Sequence, residues 1–345
     1  MRYAMVARLL TFALIVPFIS DAHSQSSPPP LDPSQITTLA EVVVTGEQPG
    51  PRLWRATRNG RVLWIYGTVT PKPDGMKWRS KQVPEVLDDT QEVIDQQLQG
   101  TTWAVNFGVQ AEVSGPFKTI RSARMASKIR KAQDAPPPLR TAVPKDLYDR
   151  YAKLKAKYVP KNEQIELARP RDAANILYQA AINASGLTSR AMIHDEVHRM
   201  ANKRHVKVSD ISLTMKFDTE TFADIINEFN AIPFSADLVC FEETLVLLES
   251  ELPTITARAN AWAVGDVSSL RSMPSLTRES CDRARWTAPR WADLDSRLDT
   301  LWLDTIDAAV AKNRSTLVLL DMNELLQPQG LLESLVARGY DVQWP

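Results

Sequence analysis

The sequence predicts an α/β fold: a central mixed β-sheet flanked by helices, with the N- and C-terminal segments contributing to the same sheet and a helical region between them. Three observations carry this. Two β-rich runs flank Asn59-Gly60 near the start, helical spacing dominates from 117 to 270, and the chain closes on a strand, a helix and a strand. With 345 residues, 44% of them hydrophobic and 24% charged, the chain has the apolar material for a sizeable core. Disorder as the main state is excluded.

The first element is a hairpin. Residues 53–57 and 62–67 are rich in strand-forming side chains, and Asn-Gly supplies the positive φ angles of a tight turn. Pro84 opens a short helix through Leu87, and residues 92–98 form a third, buried strand. Helices follow near 117–132, 144–157, 171–184, 190–203 and 219–230, separated by Pro, Gly or short polar stretches. Helical spacing continues over 235–270, and a Ser-, Thr- and Arg-rich stretch around Cys281 is irregular. A helix at 298–311, an apolar strand at 315–320, a helix at 330–338 and a strand at 340–344 complete the chain as a crossover unit.

The segment before the hairpin is of a different kind. Arg2 and Arg8 precede the apolar stretch 9–19, and Ala22-His23-Ser24 is a small-x-small cleavage site, so residues 1–24 are expected to be a signal peptide. Residues 25–51 carry Pro28, Pro29, Pro30, Pro33, Pro49 and Pro51 and are expected to be a tether, leaving 52–345 as a single domain. The island Val42-Val43-Val44 within the tether suits a strand, either on the protein's own sheet or as a docking motif for a partner's sheet edge.

This leader places the mature protein in the periplasm or outside the cell, without stable membrane insertion once it is removed. Lys plus Arg equals Asp plus Glu, at 41 each, so there is no global field to gather nucleic acid. The compartment also bears on Cys240 and Cys281. An exported chain with two cysteines is expected to pair them, and closing a loop of about 40 residues contributes roughly 4 kcal/mol; two buried thiols are the other reading.

Few constellations carry chemistry. His194 and His198 are four apart on a predicted helix, a zinc-site spacing to which His205 could add a ligand. However, Asp195 stands where a zincin has its Glu, so a solvated helix face is the expectation. The basic run Lys118, Arg121, Arg124, Lys128, Arg130 and Lys131 is expected to be an exposed helix, with a phosphate or acidic-polysaccharide site as the alternative. Nucleophile–His–Asp and phosphate-loop signatures are absent.

The hairpin through Trp64-Ile65-Tyr66-Gly67-Thr68-Val69-Thr70, the segment Asn260-Ala261-Trp262-Ala263-Val264-Gly265-Asp266, and the stretch from Gly330-Leu331-Leu332 to Gly339-Tyr340-Asp341-Val342 together resemble the TraB/GumN family, which is related to the TIKI metalloproteases. The resemblance implies a metal-dependent hydrolytic site where the two ends of the chain meet, built on two Gly-x-x-His motifs and a Glu. Here those positions are altered: Thr70 replaces the first His after Gly67, Asp95 replaces the Glu, and Asp321-Met322-Asn323-Glu324-Leu325 replaces the second Gly-x-x-His-Leu. The family's Arg-Asn pair is missing as well, with Leu298-Asp299 in its place. A threonine hydroxyl is a feeble ligand beside an imidazole. The expectation is a degenerate site at Gly67, Thr70, Asp95 and Glu324 with no metal, no cofactor and no catalytic residue, in a protein that binds an envelope ligand or a partner protein. The alternative is a peptidase-like hydrolase rebuilt around Asp95 and Glu324 with a harder ion such as Mg²⁺ or Ca²⁺.

Overall fold

The computed structural model describes residues 43–95, 137–210, 232–276, 278, 280–281 and 294–345, all within one compact unit, Ala40–Pro345. The expected leader, Val42, the helices near 117–132 and 219–230, and the basic run from Lys118 to Lys131 lie outside the described residues, as does the end of the third strand beyond Asp95.

The architecture is a mixed sheet with helices around it. Strand β1 (Gly46–Gln48) precedes the hairpin β2 (Trp54–Arg58) and β3 (Arg61–Thr68); β4 (Lys72–Pro73), β5 (Met76–Trp78), β6 (Glu92–Asp95), β7 (Leu187–Thr188), β8 (Lys207–Asp210), β9 (Ser315–Asp321) and β10 (Asp341–Gln343) follow. The main sheet has the order β10-β2-β3-β9-β6-β8. Asn59 and Gly60, at φ 52° and 73°, make the predicted hairpin turn, and Trp54 faces Ile65 across it. β3, β9, β6 and β8 run parallel, and β6 is buried along its whole length, as strands covered on both faces must be.

The two chain ends do share this sheet. β10 pairs antiparallel with β2, so the final crossover leaves β9, passes the hairpin and lands on its far side instead of beside β9. The hairpin is therefore held between two strands from the C-terminal end.

The helices are α1 (Gln82–Asp89), α2 (Leu139–Ala142), α3 (Lys145–Tyr158), α4 (Pro170–Ala184), α5 (Met192–Lys203), α6 (Phe234–Val246), α7 (Leu252–Val264), α8 (Val267–Ser272), α9 (Leu294–Lys312), α10 (Met322–Leu326) and α11 (Leu331–Ala337). A π-helical turn, Leu247–Glu251, joins α6 to α7, so the helical spacing over 235–270 is carried by several helices. None of the described helices is long and apolar enough to cross a membrane.

Two apolar clusters result. One packs Trp54, Tyr66, Trp262 and Leu317 around the sheet; the other packs Tyr151, Phe241 and Leu177 within the helical region. Cys240 and Cys281 are disulfide-bonded inside the second cluster, with Cα atoms 4.5 Å apart.

Residues 43–51, the end of the stretch expected to pack little, lie along the domain. β1 pairs with β5, the Val44 amide donates to Asn260 Oδ1 at 2.9 Å, and the Gly50 amide donates to Ala263 O at 3.0 Å. Gly265, at φ 80°, closes α7, and a Cβ there would stand 2.6 Å from Gly50 O. Only glycine fits both the left-handed cap and this close approach.

Candidate functional site

Four parallel strands end on one edge of the sheet, at Thr68, Asp321, Asp95 and Asp210. The crevice outside the carboxyl ends of parallel strands is where α/β sheets ordinarily bind ligands. Residue pairing sets the layout: Thr68 lies across from Asp321, and Asp95 across from Leu319 and Asp210.

Asp95 is fully buried, and its carboxylate is bracketed by α5. His194 Nδ1 is 2.7 Å from Oδ1, and His198 Nε2 is 2.6 Å from Oδ2. Ile193, Val197, Met200 and Ala201 form the buried stripe of α5, which turns His194 and His198, one helical turn apart, toward the end of β6. Burial alone would raise the Asp95 carboxyl; the hydrogen bonds and charges of the two histidines outweigh it and hold it below the usual range. The expectation of a solvated helix face for His194 and His198 is thus corrected, since His194 is itself buried. The partner that draws them in comes from another strand, 99 residues away from His194.

Gly67 acts through its missing side chain. A Cβ there would come within 2.5 Å of Met322 Cε and 3.0 Å of Leu325 Cδ1, so glycine lets α10 settle on β3. Its carbonyl accepts the Trp262 indole N–H at 2.8 Å, tying α7 to the same spot. Thr70 is half-buried two residues beyond β3.

Glu324 sits in the first turn of α10. Burial, reinforced by the charges of Asp321 and Asp299, pushes its carboxyl up to about 8. Asp321 caps α10 by accepting the Asn323 amide at 2.7 Å, and burial raises it against the opposing pull of that bond, Arg258 and His194. Buried Lys72 donates to Arg190 O at 2.7 Å; burial lowers it to about 8 despite the attraction of Asp321 and Asp195.

The fold therefore brings Gly67, Thr70, Asp95 and Glu324 to one end of the sheet, with Gly67 packed beneath the helix that carries Glu324. Among the described residues no hydrogen bond or ion pair joins Asp95 to Glu324. Lys72 and Arg258 are charged neighbours of Asp321 for which the sequence carries no local motif.

The donor set fits a divalent transition metal poorly. Thr70 offers a neutral hydroxyl, both Asp95 oxygens face imidazoles, and Glu324 holds its proton to about pH 8. Among the described residues no set of three or more His, Cys, Asp or Glu side chains is arranged to hold a metal ion.

A model of the TraB/PrgY/gumN family matches residues 111–343, about two thirds of the chain. The protein belongs to the TraB/PrgY/gumN family. No curated protein and no solved structure matches it. The matched span contains Asn260–Asp266, Glu324 and the closing Gly330–Val342 stretch. Gly67, Thr70 and Asp95 precede that span; β3 and β6 flank β9 on either side, and their ends share its edge.

Proposed function

We propose that this TraB/PrgY/gumN member is exported on leader 1–24, carries a Pro-rich tether from residue 25, and serves in the periplasm or outside the cell as a binding or accessory protein without the family's metal-dependent hydrolysis. The observation that carries the reading is Asp95. The carboxylate at the family's Glu position is already engaged by His194 and His198, at 2.7 and 2.6 Å. A buried carboxylate held this way is a structural anion, and freeing it for a metal would cost both contacts.

A second reading is favoured by the gathering of Lys72, Asp321 and Glu324 around the same edge: a hydrolase rebuilt at Asp95 and Glu324 around a hard cation. Titration of the purified mature protein with Mn²⁺, Co²⁺, Zn²⁺, Mg²⁺ and Ca²⁺, followed by desalting and elemental analysis, separates the two. The binding reading expects no stoichiometric metal and no rise in melting temperature. A ligand at about 100 times its Kd would stabilise the fold by roughly 2.7 kcal/mol, which a thermal scan detects. Stoichiometric metal abolished by Asp95→Ala or Glu324→Ala establishes the hydrolase reading instead.

A further inference from the structure

A pocket of about 190 Å³ opens between α8 and α10, with Arg258 of α7 in its wall. Thr70, Asp95 and Glu324 do not line it. Arg258 is buried, and its guanidinium donates to Leu270 O and Met273 O, both at 3.1 Å, and to Asn323 Oδ1 at 2.6 Å. All three acceptors are neutral. Asp321 attracts the guanidinium from beyond contact, and among the described residues no carboxylate forms an ion pair with it.

Buried cations are ordinarily matched by a contacting anion, because carbonyl and amide dipoles do not cancel a full charge. Arg258 spends its charge on neutral groups at the wall of a cavity. Arg271 stands on the rim with its guanidinium 4.7 Å from the Trp344 ring, and Ser275 adds a hydroxyl. Leu270 and Leu326 supply apolar wall. Two guanidinium groups beside amide and hydroxyl donors suit the planar, many-acceptor geometry of an oxyanion, and the leucines suit a short hydrocarbon.

We infer that this pocket binds a small organic oxyanion, a carboxylate or phosphate monoester on a short apolar body, with Arg258 and Arg271 as its charge partners. The inference gives the binding reading a ligand class, yet it stands apart from the metal question: a metal at Asp95 would leave the pocket as it is, and an empty pocket would leave the Asp95 result as it is.

The test is calorimetric titration of the mature protein with butanoate, butyl phosphate and the neutral butanamide. Saturable binding of at least one anion, with butanamide failing to bind, is the expected result, and the tighter of the two anions identifies the oxyanion. Arg271→Gln, at an exposed position, should weaken that binding about tenfold or more while leaving the melting temperature within a few degrees. Arg258→Lys should weaken it further. Binding of butanamide equal to that of butanoate, anion affinity unchanged by Arg271→Gln, or no saturable binding of either anion would overturn the inference.

Discussion

His194 and Asp95 meet at 2.7 Å although 99 residues separate them, and this contact pins α5 to the carboxyl end of β6. His198 closes on the other oxygen of the same carboxylate, so one buried acid orients two imidazoles.

That arrangement has an acid-side signature. The Asp95 carboxyl is held below the ordinary value of about 3.9, so its contribution is fully present above about pH 4 and is lost as pH falls through the lower folded value. Asp95→Asn should lower stability near pH 7 by about 3 kcal/mol and flatten the acid limb of the stability curve. Urea midpoints measured from pH 3 to 8 on both proteins check this; parallel curves would show that the bracket contributes nothing.

Glu324 should behave in the opposite sense. Its folded value of about 8 lies above an unfolded value of about 4.3, so the folded state binds the extra proton between them and stability declines as pH rises through that window. Glu324→Gln should remove the decline, gaining more than about 1 kcal/mol on the wild type at pH 8 and little at pH 4. The comparison needs only chemical denaturation at two pH values.

The bond between Cys240 and Cys281 closes a loop inside the helical cluster. Cys240→Ser should cost about 2–5 kcal/mol, read as a lower denaturant midpoint with a steeper slope, because the unfolded chain freed of the cross-link exposes more surface. A non-reducing peptide map should recover the two cysteine peptides linked.

Truncation should discriminate between two start points. A chain beginning at Val43 should melt where the longer mature chain does. One beginning at Arg52 loses the β1–β5 pairing, the Val44–Asn260 bond and buried Gly50 and Pro51, and should melt several degrees lower. Equal melting of the two would mean that residues 43–51 add nothing to the fold.

What the sequence made legible was local. Asn59-Gly60 declares its turn, the Pro at the start of α4 sits where a helix accepts one, and the apolar run at 315–320 can only be a covered strand. The relations that build the site are not local. The i,i+4 spacing of His194 and His198 shows that they share a face, but nothing near them in the chain reveals that the face meets Asp95. Val43 and Val44 read as strand-forming, yet the strand lies just beyond them at Gly46–Gln48, and Val44 is held instead by Asn260, 216 residues on, a partner that the Pro-rich composition around it does not reveal. The π turn at Leu247–Glu251 leaves no mark in a pattern of apolar spacing that it barely shifts.

The placement of β2 and β3 between β10 and β9 also governs the order of assembly. Thr68 Oγ1 donates to Leu320 O, 252 residues later, and β2 gains its outer neighbour only at Asp341–Gln343. A nascent chain emerging N-terminus first therefore carries this hairpin with both edges bare until residues 315–343 have been made. Loop closure on this scale is slow, and bare edges invite pairing with other chains. The helical cluster, whose partners from Leu139 to Cys281 are all in hand earlier, can condense first, and β2 gains its outer neighbour only when β10 follows.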